Sequence, residues 1–369
     1  ISKLKIDFKK NSIDGISVLS ADGIAIAAEF DFYHSFINNT MELYVSDQSY
    51  TPISKNSSAE ENTSLFQAPG WYMVFEKDEK TAIEKAVRLA KEKGIVAHCK
   101  KIDDFMNKGF INSGDEKFDE AIQWARFNGW LLATKDHDSK YRGIWAGLPW
   151  FRDNWGRDTF IALNGILLAS GCFEEAKDVL LGFAGFQDRD KNSATYGRIP
   201  NRYRDEKDVI YNTVDGTLWF IRALYEYIQY SGDTEILKDL SQTIEIAVDA
   251  DISRCDGNGL LCHGDADTWM DARIMNNQPW SPRGNRANDI QALWYTALKI
   301  SAIFMKWLGK NDISSRYDKF ADKVGKSFEN LFWSKNAESL ADHLPEGGYG
   351  EWTKDLRVRP NQLMTISVP

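Results

Sequence analysis

From about residue 116 onward, apolar residues recur at three- and four-residue spacing through one long segment after another, and this periodicity limits the fold more than any other feature. It predicts helices over Phe118–Thr134, Arg157–Ser170, Glu174–Gln187, Asp215–Ser231, Asp233–Asp249, Asn288–Leu308 and Ser314–Trp333. Ser and Gly recur at the segment ends, in LLASG, YIQYSGD and MKWLGKND, where they suit C-terminal caps. Short and long connections alternate, as they do between stacked helical hairpins. An all-helical domain is therefore expected over 116–369.

Residues 1–76 read as β-rich. GISVLSADGIAIAAEFDFYHSF alternates apolar with polar or small residues around Asp-Gly turns at 14–15 and 22–23, and MELYVSD and GWYMVFE continue the pattern. PISKNSSAEENTS, over 52–64, is a polar loop. The strands are too few for a closed sandwich, so the region is expected to be the C-terminal part of a larger β-sandwich. KDEKTAIEKAVRLAKEKG then predicts an amphipathic helix over Lys77–Gly94, with Ala82, Ile83, Ala86, Val87 and Ala90 on one face, opening a linker region over 77–115.

Composition removes several function classes. The net charge of −9 argues against nucleic-acid binding, which needs basic patches. No apolar run is long enough to span a membrane, and nothing at the start resembles a signal peptide; Ile1 is not an initiator Met, so an upstream segment is expected. Cys99, Cys172, Cys255 and Cys262 lack disulfide-framework density, which fits a reducing, cytoplasmic setting. Cys255, Cys262 and His263 match no zinc spacing, so no metal and no cofactor is expected. There is no nucleophile elbow, no Walker loop and no GxGxxG. His137, in KDHDSK, reads as solvent-facing.

Chemistry concentrates in Gly143–Leu163, GIWAGLPWFRDNWGRDTFIAL, where Trp145, Trp150 and Trp155 stand among arginines, aspartates and glycines just before a helical run. Such a loop suits a neutral polyol: aromatic rings cover C–H faces and fixed charges hydrogen-bond hydroxyls. A second loop, GDADTWMD over Gly264–Asp271, carries Asp265, Asp267 and Asp271 without EF-hand spacing. Glycoside hydrolysis needs a protonated carboxyl and an ionised carboxylate on either side of the bond, and Trp269 beside Asp271 is expected to favour the acid form there. A solvated acidic loop is the plainer reading. Three predicted helices also begin with an aspartate before an aromatic-rich run, at Asp158, Asp215 and Asp289. Simple N-capping accounts for any one of them. A barrel of inner and outer helices would gather all three at one end.

AGLPWFRDNWGRDTFIAL, GRIPNRY, YNTVDGTLWF, DTWMDA, IQALWYTAL and RPNQL occur in this order, and together they resemble the amylo-α-1,6-glucosidase domain of glycogen debranching enzymes over Phe118–Pro369. The resemblance implies an (α/α)6 toroid and inverting hydrolysis of the α-1,6-linked glucose at branch points of glycogen, limit dextrin or a related α-glucan. It makes Asp271 the general acid. It makes Trp150, Asp153, Trp155, Arg157, Asp158, Arg202, Asp215, Trp269, Asp289, Arg359 and Asn361 substrate-binding candidates. Asp289 stands where relatives commonly carry glutamate. The base that activates water is expected beyond Pro369, with the final helices of the ring. Two other readings keep the sugar pocket: a glycoside phosphorylase on a related toroid, and a non-catalytic glucan-binding protein.

Overall fold

A computed structural model describes residues 9–13, 16–21, 24–28, 32–37, 40–45, 71–76, 78–109, 111–135, 142–205 and 207–368. The turns at 14–15 and 22–23, the loop at 52–64 and His137 lie outside these residues. The chain divides into two compact units, Ile1–Lys108 and Gly109–Pro369.

In the first unit, strands β1 (Lys9–Ile13), β2 (Ile16–Ala21), β3 (Ile24–Ala28) and β6 (Trp71–Phe75) form an antiparallel sheet in the order β1-β2-β3-β6. A separate hairpin pairs β4 (Phe32–Ile37) with β5 (Thr40–Val45). The register brings Val18 opposite Ala27 and Ala25 opposite Val74, so one face presents small apolar side chains. Helix α1 (Glu79–Lys91) lies on that face through Ala82, Ala86, Val87 and Ala90, and alanine on both sides permits close helix–sheet contact. Asp78 caps α1 by accepting from the Thr81 amide at 2.9 Å. A helix thus covers this face of the described sheet, and α1 packs into the core of the first unit. A further helix, α2 (Gly94–Asn107), was not anticipated.

The second unit is mainly helical: α3 (Glu116–Leu132), α4 (Gly156–Leu163), α5 (Phe173–Gly185), α6 (Asp215–Ser231), α7 (Ile236–Ser253), α8 (Asn288–Trp307), α9 (Asn311–Phe332) and the short α10 (Met364–Ser367). Two layers follow from the burial pattern. In α6 and α8 most positions are buried, as hydrophobic runs with few charges require. In α7 and α9 burial is confined to a stripe, such as Tyr317, Ala321, Val324 and Phe332 on α9. Alternate helices touch, α4 on α6, α6 on α8 and α8 on α10, while α5, α7 and α9 pack against this inner row. Gly232, at φ 73°, ends α6 in the left-handed conformation that its YSGD sequence suggests.

The Trp-rich stretch before α4 is not a loop. β8 (Arg142–Gly147) and β9 (Phe151–Trp155) form a hairpin within a five-stranded antiparallel sheet, flanked by β7 (Ala133–Lys135), β10 (Arg202–Asp205) and β11 (Asp208–Ile210) in the order β11-β10-β9-β8-β7. β9 runs directly into α4 at Gly156. A Cβ there would stand 2.5 Å from the Pro200 carbonyl oxygen, so only glycine lets strand and helix meet at this angle. The sheet thereby fixes where α4 begins.

Candidate active site

The starts of α4, α6 and α8 meet. None of their three aspartates caps its helix: the N-cap positions are Trp155, Val214 and Ala287, without side-chain cap bonds. Asp158, Asp215 and Asp289 instead lie in the first turn, where the exposed amides favour negative charge.

Arg157 joins three distant segments. Its Nε and Nη2 donate to Asp215 Oδ2 and Oδ1 at 2.5 and 3.0 Å, Nη2 also to the Thr268 carbonyl at 3.0 Å, and Nη1 to Asp271 Oδ2 at 3.2 Å. Burial alone would lower the Arg157 pKa, but Asp215 and Asp271 raise it further above its ordinary value, so it is locked as a cation. Loss of hydration in this crowded corner pushes the neighbouring Asp158 carboxyl up; Arg157 pulls it back, and Asp215 and Asp271 add to the rise. Burial likewise raises Asp289, offset in part by Arg283.

Arg157, Asp215 and Asp289 border an open cavity of about 430 Å³ together with Trp269 and Asn361, and Asp158, next to Arg157 in the chain, is not among the lining residues. Trp269 donates its indole N–H to Asn361 Oδ1 at 3.0 Å, which sets the ring's tilt. Asp271, half-buried, adjoins through Arg157. Arg359 stands one step behind, donating to Asp342 at 2.7 Å.

The other candidates lie elsewhere. Asp153 accepts from Arg202 at 3.2 Å and from Arg204 at 2.7 Å across β9 and β10. Burial alone would raise the Asp153 carboxyl, but these two arginines outweigh it and hold it below the usual range. Arg202 also pairs with Asp208 and sits 6.0 Å over the Trp155 ring. Trp150 is 83% exposed at the tip of the β8–β9 hairpin. Asp153, Trp155 and Arg202 lie on β9 and β10 and Trp150 in the turn before β9, and none of the four is among the residues around this cavity.

Sequence reasoning missed Ile161, Trp219 and Leu293, which also line the cavity. Each lies four residues after Arg157, Asp215 or Asp289 and so one turn further along the same helix face, a signal the sequence did contain. It also missed Arg283 and Asp342, buried behind the wall. Asp342, His343 and Asp355 gather within 4.8 Å, the spacing of a metal-ligand set, yet Arg283, Arg359 and Arg357 already supply their counter-charges. Buried His263 is structural: Nδ1 donates to the Gly264 carbonyl at 2.7 Å and Nε2 accepts the Ala287 amide at 2.8 Å, tying the Asp271 loop to the start of α8.

A family model described as amylo-alpha-1,6-glucosidase matches residues 127–369. The chain belongs to this family. A glycogen debranching enzyme of Saccharomyces cerevisiae is 38% identical over 94 residues, a match covering 24% of this chain and 6% of the yeast protein. The crystal structure of a GH78 family rhamnosidase from Bacillus sp. GL1 superposes with a TM-score of 0.50 at 13% identity, over 64% of this chain and 22% of that one; the likeness concerns the fold. A rhamnose-bound rhamnosidase from Klebsiella oxytoca gives a TM-score of 0.48 at 17% identity, covering 68% and 45% of the two chains. Family membership supports an activity of glycosidase kind for this domain. Among the described residues, no helix is long and apolar enough to cross a membrane.

Proposed function

We propose that this domain hydrolyses the α-1,6-linked glucose at branch points of glycogen or limit dextrin with inversion, in the cytoplasm, on an (α/α)6 ring of which α4, α6, α8 and α10 form the inner row. The observation that carries the reading is Arg157, clamped between Asp215 and Asp271 at the floor of an aromatic-walled cavity. Glucose is neutral and rich in hydroxyls. Arg157, Asp158 and Asp215 offer it charged hydrogen-bond partners, and the Trp219 and Trp269 rings offer apolar faces. A hydroxyl that engages Arg157 competes with Asp271 for the guanidinium and frees that carboxyl to face the glycosidic oxygen. Asp271 is then the general acid, protonating the departing sugar.

Inverting enzymes hold acid and base roughly 6.5–9.5 Å apart, so that water fits between them. The base would be a second carboxylate of the whole protein at that distance from Asp271. Replacement Asp271→Asn in that protein is expected to cut kcat by about 10³-fold or more on an α-1,6-glucosyl maltooligosaccharide while binding persists. The glucose first released is expected to be the β-anomer by NMR. An unchanged kcat would remove Asp271 from the role, and glucose 1-phosphate formed only with added phosphate would replace hydrolysis by phosphorolysis.

A further inference from the structure

Behind the cavity wall lies a buried relay of charges. Arg283 has no exposed surface; its Nη2 donates to Asp289 Oδ1 at 2.9 Å and its Nε to Asp342 Oδ2 at 2.9 Å. Asp342 is equally buried and also accepts from Arg359 Nη1 at 2.7 Å. Its own burial would raise the carboxyl, but His343, Arg283 and Arg359 together hold it below the usual range. Two acids and two arginines thus alternate and are neutral as a set, which is the condition for keeping such charges out of water.

The relay grips the Asp271 loop from both sides. Met270 Sδ lies 3.7 Å from Arg283 Nη1 and 3.6 Å from Asn361 Nδ2. Asn361 Nδ2 approaches Asp342 Oδ1 at 3.5 Å, and Asn361 Oδ1 accepts the Trp269 indole at 3.0 Å. The Arg283 amide donates to the Asp265 carbonyl at 2.9 Å, at the start of the same loop. Trp269 and Met270 immediately precede Asp271, so their anchors set where its carboxyl points.

We propose that Arg283 and Asp342 are positioning residues, fixing the Asp271 loop relative to Asp289 through Met270, Asn361 and Trp269. The kinetic part of this inference rests on Asp271 being the proton donor. A buried ion pair often gives no more stability than an apolar pair of the same shape; what the guanidinium fork adds is direction, because it fixes both carboxylates in one plane.

The test uses the whole protein with isotope-labelled tryptophan and Trp269→Phe to assign the indole signal. Asp342→Asn breaks the relay. Met270→Leu removes the thioether that Arg283 touches, leaves the Trp269–Asn361 bond in place and strands no buried charge, so the question stays open to measurement if the first variant unfolds. Both are expected to move the Trp269 indole resonance and to lower kcat by about 10- to 100-fold with KM changed less than about three-fold, and this loss should vanish in an Asp271→Asn background. An unmoved indole signal in folded Met270→Leu, or losses that simply add, overturns the proposal. If Asp271→Asn leaves kcat untouched, the proton-donor reading fails, while the indole signal still decides the positioning.

Discussion

Asp158 shows how a single residue trades stability against use. Its carboxyl is raised, so its folding contribution is favourable below the ordinary value of 3.8 and is lost as pH rises through the folded value. At neutral pH the charge is a small liability, limited by the residue's contact with solvent. Asp158→Asn is therefore expected to leave the melting temperature at pH 7 unchanged or slightly higher, while kcat/KM falls by about 100-fold through lost charged hydrogen bonds to substrate. A lower melting temperature with full activity would make Asp158 structural. That Asp158, Arg157 and Asp215 come together was legible because each opens or adjoins the start of an apolar helical run. Arg283 and Asp342 were not: their pairing spans 59 positions, and a charge neutralised by so distant a partner leaves no local trace in the sequence.

At the scale of elements, helices whose amphipathic period is strong were read closely, and Asp215–Ser231 matches its expected bounds. The β8–β9 hairpin was missed because its strands do not alternate cleanly: Phe151 and Arg152 are both exposed and Asn154 is buried against Gly143. The junction between the Asp271 loop and α8 carries a pH prediction. Burial pushes His263 down to about 4, from an ordinary 6.5, since its neutral ring already satisfies both neighbours. A depressed histidine contributes stability that is present above pH 6.5 and lost as pH falls toward 4. Unfolding free energy should drop by roughly 3 kcal/mol across that window, with a one-proton slope that His263→Gln abolishes. Equilibrium denaturation at stepped pH measures it; an identical slope in the variant would assign the proton elsewhere.

For the whole molecule, the net charge of −9 sets how substrates arrive. A neutral glucan feels no long-range attraction, so kcat/KM should change less than about two-fold between 50 and 500 mM NaCl, whereas a phosphorylated substrate would respond strongly to screening. A steep salt dependence would contradict a neutral ligand. The inner row of helices has a further consequence. Among the described residues, the four carboxyls of Asp158, Asp215, Asp271 and Asp289 gather around two arginines, Arg157 and Arg283, where α4, α6 and α8 begin. The guest best matched to this excess of carboxyls is one carrying a cation of its own. A protonated iminosugar, with nitrogen in place of the ring oxygen, should outbind glucose by about 100-fold, and its grip should loosen once the amine loses its proton.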